Sequence, residues 1–254
     1  MTSEIKILSI NAANFDGGLL PWQNAADSFS QSLIASQADL LAVQAVPNEL
    51  FSYLGDCLSE SYDSLREQDS AGNNAVFYKK ERFILLEQGS FFLSETPSKR
   101  SRFVGASEDR ICAWSAFEEK TSGIRFFHMN TAPERNYSVL LKCIPLILSA
   151  GAKYDVPTIL TGDFACFKGS YAYKALTSAV FKDAGDTFGS GTQSITDRAV
   201  SYFKNVKSVQ GSEYIFINHL AEPLKGGKSG EVLLGESSGL FDGVYAEINL
   251  LRRQ

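Results

Sequence analysis

The 254-residue chain is 44% hydrophobic and 21% charged, the balance of an ordinary globular protein with enough apolar residues for one sizeable core. Its formal net charge of −5 supplies no basic footprint for duplex nucleic acid, so a duplex-binding partner is not expected. Four cysteines, at 57, 112, 143 and 166, are too few and too scattered for a disulfide framework or a CxxC metal site, and no apolar run approaches the roughly 20 residues that span a bilayer.

The first residues run straight into an alternating stretch, with no charged segment followed by an apolar one; a cytoplasmic, reduced protein is the expectation. Residues 5–10 predict a strand. Ala26, Phe29, Leu33 and Ile34 recur at helical spacing and predict an amphipathic helix over 23–37. Residues 40–46 form a short continuous apolar run, the pattern of a strand buried on both faces. Pro47 then opens a second helix through Leu50, Leu54 and Leu58, where its missing N–H costs nothing.

Residues 75–78, 83–86 and 90–93 read as three successive strands with short polar connections. Residues 111–118 and 124–130 flank Lys120-Thr121-Ser122-Gly123 and predict a hairpin. Lys99, Arg100 and Arg102 form the notable basic run and read as a solvated loop. A helix is predicted over 136–150, kinked by Pro145, followed by a buried strand over 157–161 and a short helix over 170–179. Residues 213–218, 231–234 and 244–250 supply the last strands. Strands outnumber helices, which implies one α/β domain over 1–254: a four-layer α/β sandwich of two mainly antiparallel β-sheets packed face to face, with helices outside.

Thr161-Gly162-Asp163-Phe164 resembles the "TGDFN" strand end of the endonuclease/exonuclease/phosphatase superfamily, the metal-dependent phosphoesterases. Further resemblances follow in the same order along the chain. Leu8-Ser9-Ile10-Asn11 is similar to "MTYN", and Asp39 to Ala45 to "DILGLQE". Residues 74–97 resemble "IFYRKDRFELLDSGTFWLSETP" of small bacterial members. Arg110-Ile111-Cys112-Ala113-Trp114 resembles "RICTW", residues 127–134 "VFNTHFD", Glu213-Tyr214-Ile215-Phe216 "DYIF", and residues 244–248 the tail of "SDHFPVVAEI".

The resemblance implies a Glu that holds Mg²⁺ or Mn²⁺, a His that donates to phosphate, an Asn that orients the substrate, and an Asp–His pair that activates water. This chain departs at those positions. Ala45 stands for the Glu, Ala132 for the first His, Ala165 for the Asn, and Leu240 and Phe241 for the Asp–His pair. Glu213 replaces an Asp, while Asn11, Asp163 and Arg110 are retained. The expectation is therefore a catalytically inactive pseudoenzyme that needs no cofactor and binds a phosphorylated ligand or a protein partner. Asn11, Arg110, Asp163 and Glu213 are its ligand-binding candidates. The alternative is a hydrolase with a rebuilt Mg²⁺ or Mn²⁺ site on Asp163, Glu213 and Asp242, assisted by Arg110.

Each residue also has a plainer reading. Asn11 and Asp163 fit a strand-end turn held by side-chain bonds to backbone N–H groups. Cys166 fits a small buried apolar residue, Glu134 and Arg135 a solvated loop pair, and His128 and His219 ordinary polar positions.

Overall fold

The alternation at the start of the chain makes a strand that is apolar on both sides: Ile5 and Ile7 face one way, Leu8 and Ile10 the other, and all four are buried. In the computed structural model, which describes residues 2–13, 15, 21–66, 73–178, 180–188, 213–228 and 243–252, this strand lies within one of two six-stranded sheets. The first sheet contains β1 (Thr2–Asn11), β2 (Leu40–Gln44), β3 (Tyr62–Arg66), β4 (Ala75–Lys79), β11 (Ala221–Lys228) and β12 (Gly243–Leu251), in the order β11-β12-β1-β2-β4-β3. The second contains β5 (Phe83–Phe92), β6 (Ile111–Glu119), β7 (Arg125–Thr131), β8 (Thr158–Asp163), β9 (Lys182–Asp183) and β10 (Glu213–Ile217), in the order β5-β6-β7-β8-β10-β9. β1 with β2 and β7 with β8 run parallel; the other described pairs are antiparallel.

Helices form the outer layers. α1 (Trp22–Ala35) buries Ala25, Ala26, Phe29 and Leu33, and α2 (Asn48–Leu58) buries Leu50, Leu54 and Leu58, both against the outer side of the first sheet. Pro47 stands immediately before α2 and its carbonyl accepts the Phe51 N–H at 2.9 Å. α3 (Tyr137–Gly151) and α4 (Tyr171–Thr177) cover the second sheet, capped by the side chains of Asn136 and Ser170. α3 runs on through Pro145, which sits on its exposed side. No helix among the described residues is long and apolar enough to cross a membrane.

One sequence expectation needs correction, and the structure adds strands that the pattern does not predict. Residues 83–92 form one strand, β5, not two, because a register shift between Leu85 and Glu87 absorbs the break in alternation. β3 and β11 were not expected. β3 carries few apolar residues, and β11 contains Pro223 and two glycines; both are edge strands, where such residues are tolerated. The expected strand over 231–234 lies outside the described residues.

The layer between the sheets changes character along its length. Ile5, Ile7, Leu40, Phe117, Phe126, Ile159 and Ile215 form a dry apolar half. Toward the C-terminal ends of β1, β2, β7 and β8 the same faces carry Ser9, Gln44, Asn130 and Thr161, all fully buried. Gln44 Nε2 donates across the layer to Asn130 Oδ1 at 2.8 Å and to Ser9 Oγ at 3.0 Å. Thr161 Oγ1 lies 3.1 Å from both Asn130 Oδ1 and the Met129 carbonyl, so its single proton goes to one of them and it accepts from His128 Nε2, 3.0 Å away. This chain of polar contacts ties the sheets together at one end of the sandwich.

Candidate functional site

The same four strands end together, and the residues that finish them meet. Asn11 closes β1 and Asp163 closes β8, on opposite sheets, and Asn11 Nδ2 donates to Asp163 Oδ2. Asn11 Oδ1 accepts the Ala13 N–H at 2.7 Å, and Asp163 Oδ1 accepts the Ala165 N–H at 3.1 Å. Each side chain thus holds a strand-end turn while pairing with the other. Glu213, at the start of β10, lies directly opposite Asp163 in the antiparallel register and is half-buried.

Arg135 completes the set. Its Nη2 donates to Asp163 Oδ2 at 3.1 Å, with the Asp163 side chain 5% exposed and that of Arg135 46% exposed. The reading of Glu134 and Arg135 as a solvated pair is therefore corrected for Glu134, which is buried, while Arg135 stays exposed and pairs with Asp163. Glu134 accepts the Ser107 N–H and hydroxyl, both at 2.7 Å, and the Arg135 N–H at 2.9 Å. Burial alone would raise the Glu134 carboxyl, but these hydrogen bonds outweigh it and the net shift is downward. Glu134 is in effect a clamp between the 103–107 loop and the end of β7.

The remaining positions divide. Arg110 precedes β6 at the same end, but its recorded charge partner is Glu108 at 3.3 Å rather than Asp163. Ala45 and Ala165 both take left-handed backbone, with φ of +51° and +48°, and Ala132, just after the end of β7, is buried. Leu240, Phe241 and Asp242 lie outside the described residues. Cys166 is buried and its thiol is pushed up to about 11, chiefly by burial, which makes it an inert packing group. His219 is exposed in the turn beyond the far end of β10. His128 is fully buried in the inter-sheet layer, and burial lowers its imidazole to about 3.

Sequence reasoning missed Arg135 because the family pattern offered no arginine there. An electrostatic signal was present nonetheless. A buried Asp163 without its metal-binding neighbours requires a cation from elsewhere, and Arg135 lies on the loop that follows β7.

No family model and no curated protein matches this sequence. Solved structures do. An endonuclease/exonuclease/phosphatase from Bacteroides vulgatus is similar with a TM-score of 0.82 at 22% identity, over 98% of this chain and 99% of that one. The chain has the endonuclease/exonuclease/phosphatase fold. A mannosyl-6-phosphatase of Bacteroides thetaiotaomicron shares that fold with a TM-score of 0.74 at 22% identity, over 96% and 99% of the two chains. D. rerio TDP2, complexed with single strand DNA product, shares it with a TM-score of 0.72 at 18% identity, over 97% and 99%.

For proteins of the endonuclease/exonuclease/phosphatase fold, the resemblance implies a hard divalent cation at this strand end. Among the described residues, those at this strand end do not fit one. Position 45 offers a methyl group, and both oxygens of Asp163 already accept from protein donors. Among the described residues no group of three His, Cys, Asp or Glu side chains converges on a common point.

Proposed function

We propose that this chain is a hydrolytically silent domain of the endonuclease/exonuclease/phosphatase fold, working in the cytoplasm by binding rather than by turnover. One observation carries the reading: the single retained carboxylate, Asp163, is engaged by Asn11, Arg135 and the Ala165 N–H, among alanines at the ligand positions. A methyl group neither ligates a metal nor moves a proton. Loss of an acid–base group and of an electrostatic stabiliser each removes on the order of 10²–10⁴ in rate. The phosphatase named among the similar structures has its own chemistry, and only the fold passes to this chain.

The lip of this end supports a binding role. Val104, Tyr137, Phe167 and Tyr171 are exposed large apolar side chains. Two hydrogen bonds draw their segments together: the Ala172 N–H donates to Tyr137 Oη at 3.2 Å, and Asn136 Nδ2 donates to the Gly105 carbonyl at 3.3 Å. Exposed tyrosines beside the half-exposed Arg135 are the residue types that anchor protein interfaces, so a protein partner is the favoured occupant. A phosphorylated ligand held by Arg135 and Arg110 is the other.

The test is co-purification of the tagged protein, comparing wild type with Tyr171→Ala and Tyr137→Ala. A partner held by the wild type and lost from both variants supports the reading. A partner retained unchanged by both variants places the interaction elsewhere. Thermal stabilisation by phosphomonoesters without any co-purifying protein selects the small ligand instead.

A further inference from the structure

We infer that Arg135 is the resident counter-cation of this cleft: its guanidinium carries the charge opposite Asp163 that a dissociable divalent ion would carry, so the folded protein is indifferent to such ions. The inference rests on the reading of the cleft as silent, but it concerns what holds the charge, and its test is independent of turnover.

Asp163 is 4% exposed. A buried carboxylate is costly unless hydrogen bonds and an opposing charge accompany it. The Asn11 amide and the Ala165 N–H supply hydrogen bonds without neutralising it. Among the described residues, Arg135 is the cation within ion-pair distance. It contacts Oδ2, the oxygen that also accepts from Asn11, while Oδ1 is used by the turn. A second cation at Asp163 would share a carboxylate that already accepts three protein hydrogen bonds and would meet the guanidinium at contact distance, a repulsion doubled for a divalent ion.

The arginine is also held in place rather than passing by. Its own N–H donates to Glu134 Oε1 at 2.9 Å, and Glu134 is pinned by two bonds from Ser107. Glu134 is thus a positioning residue: it fixes the backbone from which the guanidinium reaches Asp163. A covalently attached cation cannot be removed by chelation, so loss of the metal-ligand positions does not leave a buried charge unanswered.

Thermal unfolding in EDTA and in millimolar Mg²⁺, Mn²⁺ or Ca²⁺ tests this, on wild type, Arg135→Ala, Asp163→Asn and the double variant. Wild type should unfold at the same temperature in every condition. Arg135→Ala should lower Tm by roughly 2–4 °C, the exposure of the guanidinium limiting the loss. Adding Asp163→Asn should recover most of that loss, because an amide needs no counter-charge. Should Arg135→Ala not fold, a folded double variant carries the same conclusion. Two results would overturn the inference: a metal-dependent rise in wild-type Tm, or losses from the two substitutions that simply add. Phosphoesterase turnover in wild type with an unchanged Tm would defeat the silent reading alone.

Discussion

Ala45 and Ala165 stand in left-handed backbone at the ends of β2 and just beyond β8, where an alanine costs about 1–2 kcal/mol relative to ordinary helical or extended backbone. The strand ends hold a backbone shape that alanine side chains do not favour. Ala165→Gly relieves the strain at some cost in unfolded-state entropy, and should raise unfolding free energy by about 0.5–1 kcal/mol in a urea titration. A loss of stability would show that the methyl packs usefully. His128 gives a second residue-level expectation. Its folded imidazole is lowered to about 3 while the unfolded one titrates near 6.5, so between those values the unfolded chain binds a proton that the native protein refuses. Stability should be flat above about pH 6.5 and fall with acidification toward pH 3, by up to about 1.4 kcal/mol per pH unit from this group. His128→Gln, which keeps a neutral donor toward Thr161, should flatten that limb; an unchanged limb would mean other groups set it.

At the scale of elements, the β7–β8 pair carries the site and leaves no room between its strands. A Cβ on Gly162 would lie 2.0 Å from the Thr131 carbonyl oxygen, a backbone atom that cannot yield without parting the two strands. Gly162→Ala should therefore cost about 3 kcal/mol or more and broaden the signals of Asn130 and Asp163 in NMR spectra, whereas a change within error would refute the close approach. Periodicity made the central elements legible, because β2 and β8 are buried on both sides and read as short apolar runs, while β1 reads as an alternating strand and β7 as one arm of a hairpin. Edges were not legible: β3 and β11 pair on one side only, so polar residues, proline and glycine suffice there. β5 was split in the sequence reading because a bulge interrupts the period without interrupting the pairing.

For the whole molecule, sequence and coordinates meet at the strand ends. Asn11 and Asp163 are 152 residues apart in the chain, and the order of the motifs that carry them places both at one end of the fold. Arg135 and the burial of Glu134 were not legible, since both depend on how the 103–107 loop and the β7–α3 loop fold over one another. The gradient from apolar to polar between the sheets was present in the sequence as Ile5-Ile7-Ser9-Asn11 and Ile159-Thr161-Asp163, but without the pairing it named no site. On the proposed reading, this end of the fold does not hydrolyse phosphoesters. The most direct measurement is p-nitrophenol release from bis-p-nitrophenyl phosphate and p-nitrophenyl phosphate in Mg²⁺, Mn²⁺ and Ca²⁺, with wild type and Asp163→Ala side by side. A silent domain gives rates equal to the buffer blank for both proteins in every metal. A metal-dependent wild-type rate that Asp163→Ala abolishes would contradict that reading.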